Sequence, residues 1–79
     1  MYVYLLRSKL NEKHRYVGRT VDLSRRIKEH NQGKCFHTSK YGPWKIITAL
    51  WFSDAEKAVT FEKYLKQGSG HAFANRHLW

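Results

Sequence analysis

The chain has 79 residues, 42% hydrophobic and 15% aromatic, enough for one modest core and too rich in large apolar side chains for a disordered segment. Its net charge is +9 and its pI about 10.0. With Cys35 as its one cysteine it makes no internal disulfide, and no apolar run approaches the ~20 residues of a membrane span. The expectation is a single domain over residues 1–79, soluble and cytoplasmic, in a reducing compartment. Residues 1–6 run straight into Arg7, which is not the pattern of a signal peptide. Charge is uneven: residues 1–40 hold ten Lys and Arg against three acids, residues 41–79 five against three. A lopsided basic surface is the footprint of a polyanion binder, and nucleic acid is the expected partner.

Tyr2–Arg7 alternates bulky and β-branched residues and predicts a strand. Ser8–Lys13 is a polar turn, and Arg15–Arg19 a second strand, so the two form an antiparallel hairpin. Asp22 is placed to cap a helix whose face carries Leu23, Ile27 and His30, with Arg26 beside them; Gly33 ends it. Lys34–Trp44 reads as a basic loop and Lys45–Phe52 as a third, well-buried strand. Ser53-x-x-Glu56 has the form of a capping box for a helix running to Gln67. Gly68-Ser69-Gly70 breaks the chain, with Ser69 suited to an N-cap. His71–Trp79 forms a short third helix with Phe73 and Leu78 inward. The order is β-β-α-β-α-α: an α+β fold with a small, mostly antiparallel three-stranded sheet covered by helices.

Three sets of residues could carry chemistry. Glu62 falls in the apolar stripe of Ala55, Ala58, Val59 and Leu65, where a carboxylate needs a cation, a metal or a donor to meet it. A hard oxygen ligand suits Mg²⁺ or Mn²⁺; the competing use is a structural ion pair, for instance with Arg26. Tyr4 and Tyr16 share a sheet face if the hairpin pairs residues of even sum, such as Ser8 with Glu12; an odd sum separates them, and the sequence leaves the register open. Two phenols beside a basic helix could position and deprotonate a water, or simply pack. Arg26 and His30 are one turn apart at the border of the apolar stripe, while Arg25 and Lys28 take the outer face. An arginine there presents its donors to a phosphate; the plainer use is surface charge. Arg19, Arg25, Lys34, Lys40 and Lys45 are candidate nucleic-acid contacts. Cys35 and His37 with His71 or His77 have zinc-ligand types without a defining spacing.

Together these residues resemble a known family. Tyr2-Val3-Tyr4 followed by Tyr16-Val17-Gly18 looks like the paired signature of the GIY-YIG nuclease domain. The run from Gly18 to His30 resembles that family's glycine, Leu-x-x-Arg and His pattern. Pro43-Trp44-Lys45, Phe61 to Lys66 and Gly68-Ser69-Gly70 resemble its small single-domain members, related to the nuclease module of the bacterial excision-repair incision subunit. Tyr2 stands where the family name has glycine. The resemblance implies a divalent-metal-dependent phosphodiesterase using Mg²⁺ or Mn²⁺, on DNA rather than RNA. By position it makes Tyr4 the general base or water-orienting group, Tyr16 its supporting phenol, Arg26 the ligand of the scissile phosphate and His30 an assistant to the tyrosine or the water. Glu62 becomes the single protein ligand of the metal. Asn75 matches loosely a late asparagine of larger members. The chain shows no attached targeting domain, so a protein partner is a further expectation. Arg26, the metal or nearby lysines should favour phenolate at Tyr4.

Two other classes remain in view. A binding module would track phosphates on the same basic face, stack bases on an exposed Trp44 and tolerate loss of Glu62. A partner-dependent component of a DNA repair or recombination complex would be inactive alone.

Overall fold

A computed structural model describes residues 1–79. The elements are β1 (Tyr2–Ser8), β2 (Arg15–Thr20), α1 (Leu23–Asn31), β3 (Trp44–Trp51), α2 (Ala55–Leu65) and α3 (Gly68–His77), in the expected order. The sheet order is β2-β1-β3, and β1 runs antiparallel to both neighbours. Val3, Tyr4, Leu5 and Leu6 are all buried, because β1 is the central strand and both of its faces are covered. On one face Tyr4, Leu6 and Trp44 pack with Tyr16 and with Leu23 and Ile27 of α1. On the other, Val3 and Leu5 pack with Ala58 and Leu65 of α2 and Ala74 of α3.

The register pairs Tyr4 with Gly18 and Leu6 with Tyr16. This is the even arrangement, and it sends Tyr4 and Tyr16 to the α1 face. Asp22 caps α1 as its sequence suggests, its Oδ1 accepting from the Arg25 amide at 3.0 Å. Gly33 follows the helix at φ +75, a conformation that favours glycine.

Several details depart from the sequence reading. β3 is an edge strand with only Trp44 buried, because it pairs on one side and the α2 layer packs chiefly on β1 and β2. Asp54 caps α2 in place of Ser53: its carboxylate accepts from the Glu56 and Lys57 amides. The Gly68-Ser69-Gly70 segment does not interrupt the chain but forms the first turn of α3. Gln67 is the N-cap, and Ser69 lies inside the helix. A Cβ on Gly70 would clash with the Tyr64 carbonyl, so glycine there lets α3 lie flush against the end of α2. Phe73 is 37% exposed; Ala74 takes the inward position, and Phe73 lies along Phe61 and Tyr64 instead.

Candidate active site

The register and α1 bring four of the five predicted catalytic side chains together. The Tyr4 hydroxyl lies 2.8 Å from Nε2 of His30, in the last turn of α1. His30 Nδ1 lies 2.7 Å from Thr38 Oγ1. None of these three residues is more than 1% exposed. One turn earlier on α1, Arg26 donates from Nε to the Tyr4 oxygen at 3.4 Å and from a terminal nitrogen to Glu29 Oε1 at 3.0 Å. Its other terminal nitrogen faces Cys35 Sγ at 3.8 Å. The Tyr16 ring stands 5.0 Å from the His30 ring and 6.3 Å from that of Tyr4.

Gly18 makes room for this cluster. A Cβ there would sit 2.6 Å from the Tyr4 oxygen and 2.8 Å from the Tyr16 ring. Because Tyr4 is buried, its phenol has nowhere to retreat.

Burial sets the protonation states. It pushes His30 down to about 4, helped by the Arg26 charge and opposed by Glu29, so the imidazole is neutral. Burial likewise pushes Tyr4 up to about 12 against the hydrogen bond from Arg26, and raises Tyr16. Both phenols are therefore protonated at neutral pH, contrary to the expectation that Arg26 would favour phenolate. The Arg26 charge acts in the expected direction, but desolvation outweighs it. Arg26 itself is held charged by its hydrogen bonds to Tyr4 and Glu29. A neutral His30 has one N–H. Either it donates that proton to Tyr4 and accepts from Thr38, or it accepts from Tyr4 and donates to Thr38. In the second case the Thr38 hydroxyl reaches the Cys35 carbonyl at 3.4 Å.

The 34–44 loop, legible in the sequence only as a basic connection, closes the back of the site. The Trp44 indole donates to the Thr38 carbonyl at 2.9 Å, and the Asn31 side chain binds both the amide and the carbonyl of Trp44. Trp44 is thus a buried clamp, 3% exposed, and not a platform for bases. Thr38 carries no motif signal; only its folded position next to His30 reveals it.

Glu62 belongs to the other layer. From α2 it pairs with Arg19 of β2 at 3.5 Å and with Lys66 at 3.6 Å, its side chain 13% exposed. The partner is not Arg26, which α1 holds on the opposite face of the sheet and which Glu29 engages. Glu62 still acts on the cluster, since its charge helps to raise the Tyr16 phenol. No three His, Cys, Asp or Glu side chains converge, and the carboxylate that the family resemblance offers a metal is Glu62 alone. That donor set fits Mg²⁺ or Mn²⁺ completed by waters and phosphate oxygens.

Among the predicted nucleic-acid contacts, Arg19 and Arg25 line a groove of about 300 Å³ with Arg26 and Glu29. Lys34 lines an adjoining hollow with Arg25 and Lys28. Lys40 and Lys45 are exposed and lie outside both grooves. Asn75, on α3, accepts a hydrogen bond from Arg15 at 2.9 Å.

A small α+β fold here carries a buried tyrosine–histidine–arginine cluster beside an arginine-lined groove, an arrangement that can handle a phosphate. Residues 1–75 match the family model described as the GIY-YIG catalytic domain, and the chain belongs to that family. It is 35% identical over 83 residues to the structure-specific endonuclease subunit SLX1 of Debaryomyces hansenii, covering 96% of this chain and 23% of that protein. The SLX1 of Rattus norvegicus is 41% identical over 68 residues, covering 76% and 25%. The UPF0213 protein BH0048 of Halalkalibacterium halodurans is 36% identical over 66 residues, covering 82% and 68%. The chain thus spans about a quarter of the length of the endonuclease subunits it matches. No solved structure gives a significant match.

Proposed function

We propose that this domain is a divalent-metal-dependent endonuclease that hydrolyses nucleic-acid phosphodiester bonds, in DNA rather than RNA. The observation that carries the reading is the Tyr4–His30–Arg26 cluster, sealed from behind and flanked by an arginine-lined groove. The scissile phosphate binds at Arg26, whose planar fork matches its oxygens and neutralises the charge that builds on them. The protonated phenol of Tyr4 orients the attacking water. As Tyr4 accepts a proton from that water, its own proton passes to Nε2 of His30, and Thr38 holds His30 in the accepting tautomer. A bound phosphate raises the proton affinity of His30, which burial and then the charge of Arg26 depress. Tyr16 packs beside both rings and supports the phenol. Glu62 would hold the metal, which supplies polarisation of the phosphate and stabilisation of the leaving oxygen.

Arg19, Arg25, Lys34, Lys40 and Lys45 serve the flanking phosphates. Two of the relatives are named as subunits of structure-specific endonucleases, which supports a protein partner for this domain. The single cysteine, which can form no internal disulfide, supports a reducing, cytoplasmic setting.

The test is cleavage of labelled single-stranded, duplex and branched DNA, and of RNA, with Mg²⁺, Mn²⁺ or EDTA. Metal-dependent cutting that falls about 10²–10⁴-fold in Tyr4→Phe, with binding retained, supports the reading. Binding without cutting on every substrate replaces it with a binding module.

A further inference from the structure

The nuclease reading leaves one group of cations unused. Arg7 and Arg15 face each other directly in the β1–β2 ladder. Their guanidinium carbons lie 5.6 Å and 4.5 Å from the centre of the Trp79 ring. Like charges opposed in a ladder repel. Neither arginine has a carboxylate within ion-pair distance. Arg15 donates to Asn75, and Arg7 Nε is buried without an acceptor. Burial and the charge of Arg7 together weaken the hold of Arg15 on its proton.

Beside them a groove of about 350 Å³ is lined by Arg15, Tyr16, Lys66, His71 and Trp79, with no acidic side chain in its wall. Its two ends matter. Val17, Leu65 and Lys66 put its wall on the α2–α3 side of the sheet, and Lys66 pairs with Glu62, so the groove adjoins the proposed metal carboxylate. Trp79 lies at the other end, where its ring orders Arg15 by a cation–π contact. Arg15, with no carboxylate partner of its own, in a groove that adjoins Glu62 through Lys66, is suited to a second phosphate.

We propose that this groove binds a phosphodiester of the substrate strand next to the one that is cut, through Arg15, Lys66 and His71. The Trp79 ring holds Arg15 in place. The substrate class rests on the nuclease reading; the site itself is separate from Arg26 and meets Glu62 only through Lys66.

The test uses the whole chain in EDTA, so that nothing is cut. Binding of labelled single-stranded DNA is followed across a salt series. Arg15→Gln and His71→Gln should each weaken binding about three- to tenfold, and Arg15→Gln should flatten the slope of log affinity against log salt by about 0.7. If the unmutated chain binds no nucleic acid, the nuclease reading itself fails. If it binds, and neither variant moves affinity or slope, this site alone fails. A second measurement needs no variant. A trinucleotide should shift the indole N–H resonance of Trp79 and leave that of Trp51, exposed on β3, unmoved. No shift at Trp79, or an equal shift with the same concentration of inorganic phosphate, overturns the assignment to a strand.

Discussion

Thr38 Oγ1 stands 2.7 Å from Nδ1 of His30, on the side of the ring away from Tyr4. A loop hydroxyl therefore holds the ring with Nε2 toward the phenol. Thr38→Val keeps the shape and removes the partner, leaving a buried nitrogen unpaired. Stability should fall by about 1–3 kcal/mol. Cleavage should fall about 10- to 100-fold, the range seen when a partner that orients a functional imidazole is lost. Thr38→Ser should restore both. Nitrogen chemical shifts of His30 check the cause: they should report one tautomer in the parent and Thr38→Ser, and a mixture in Thr38→Val.

His30 gives stability a pH dependence of definite sign. Burial, and then Arg26, hold it down to about 4, against about 6.5 for a free imidazole. Between those values the unfolded chain binds the extra proton and the folded chain does not, so stability rises with pH. The contribution is full above pH ~6.5, declines as pH falls, and levels off below about 4, where the folded ring also protonates. The span is on the order of a few kcal/mol. Urea unfolding at pH 7.5 and 4.5 measures it, and His30→Gln should lose this part of the slope.

Gly18→Ala tests the close approach across the hairpin. The added methyl meets the Tyr4 phenol and the Tyr16 ring together. Overpacking of this kind destabilises by about 1–3 kcal/mol. The larger effect should be on activity, since a displaced phenol leaves His30 and Arg26. Combining the change with Tyr4→Phe removes one of the colliding atoms, so thermal unfolding should show the two destabilisations adding to less than their sum.

Glu62→Gln separates activity from stability. Its partners Arg19 and Lys66 are both largely open to solvent, so the pairs contribute about 0–1 kcal/mol. Cleavage with saturating Mg²⁺ should nevertheless fall about 10²–10³-fold. Full cleavage in the variant would remove Glu62 from the site; calorimetric titration with Mg²⁺ in the presence of an uncleaved oligonucleotide should show binding to the parent and none to the variant.

Much of this arrangement is legible before folding, and the reason differs from residue to residue. Asp22 and Gly33 bracket α1 by local chemistry that needs no tertiary context. Arg26 and His30 meet Tyr4 because helical spacing puts them one turn apart on the buried side. The register of Tyr4 against Tyr16 is a different matter: one residue of slip would have separated them, and the packing of both sheet faces fixes it. Most of the misjudged features are tertiary. Whether Lys45–Phe52 is buried depends on which strand lies in the centre. Asp54 displaces Ser53 as a cap because both residues suit the position. The partner of Glu62 depends on which layer each helix joins. Thr38 and the buried role of Trp44 depend on a loop folding back, for which no periodicity exists.

The central place of β1 bears on how the site is lost. Tyr4 rides on the strand that is hydrogen-bonded along both edges and covered on both faces. Fraying at a terminus or opening of a loop cannot release it. Its ordering is tied to the unfolding of the whole domain, so the amide of Tyr4 should exchange its hydrogen among the slowest in the chain. The phenol is fixed in advance of any substrate, and the adjustable parts of the site are the arginines and lysines around it.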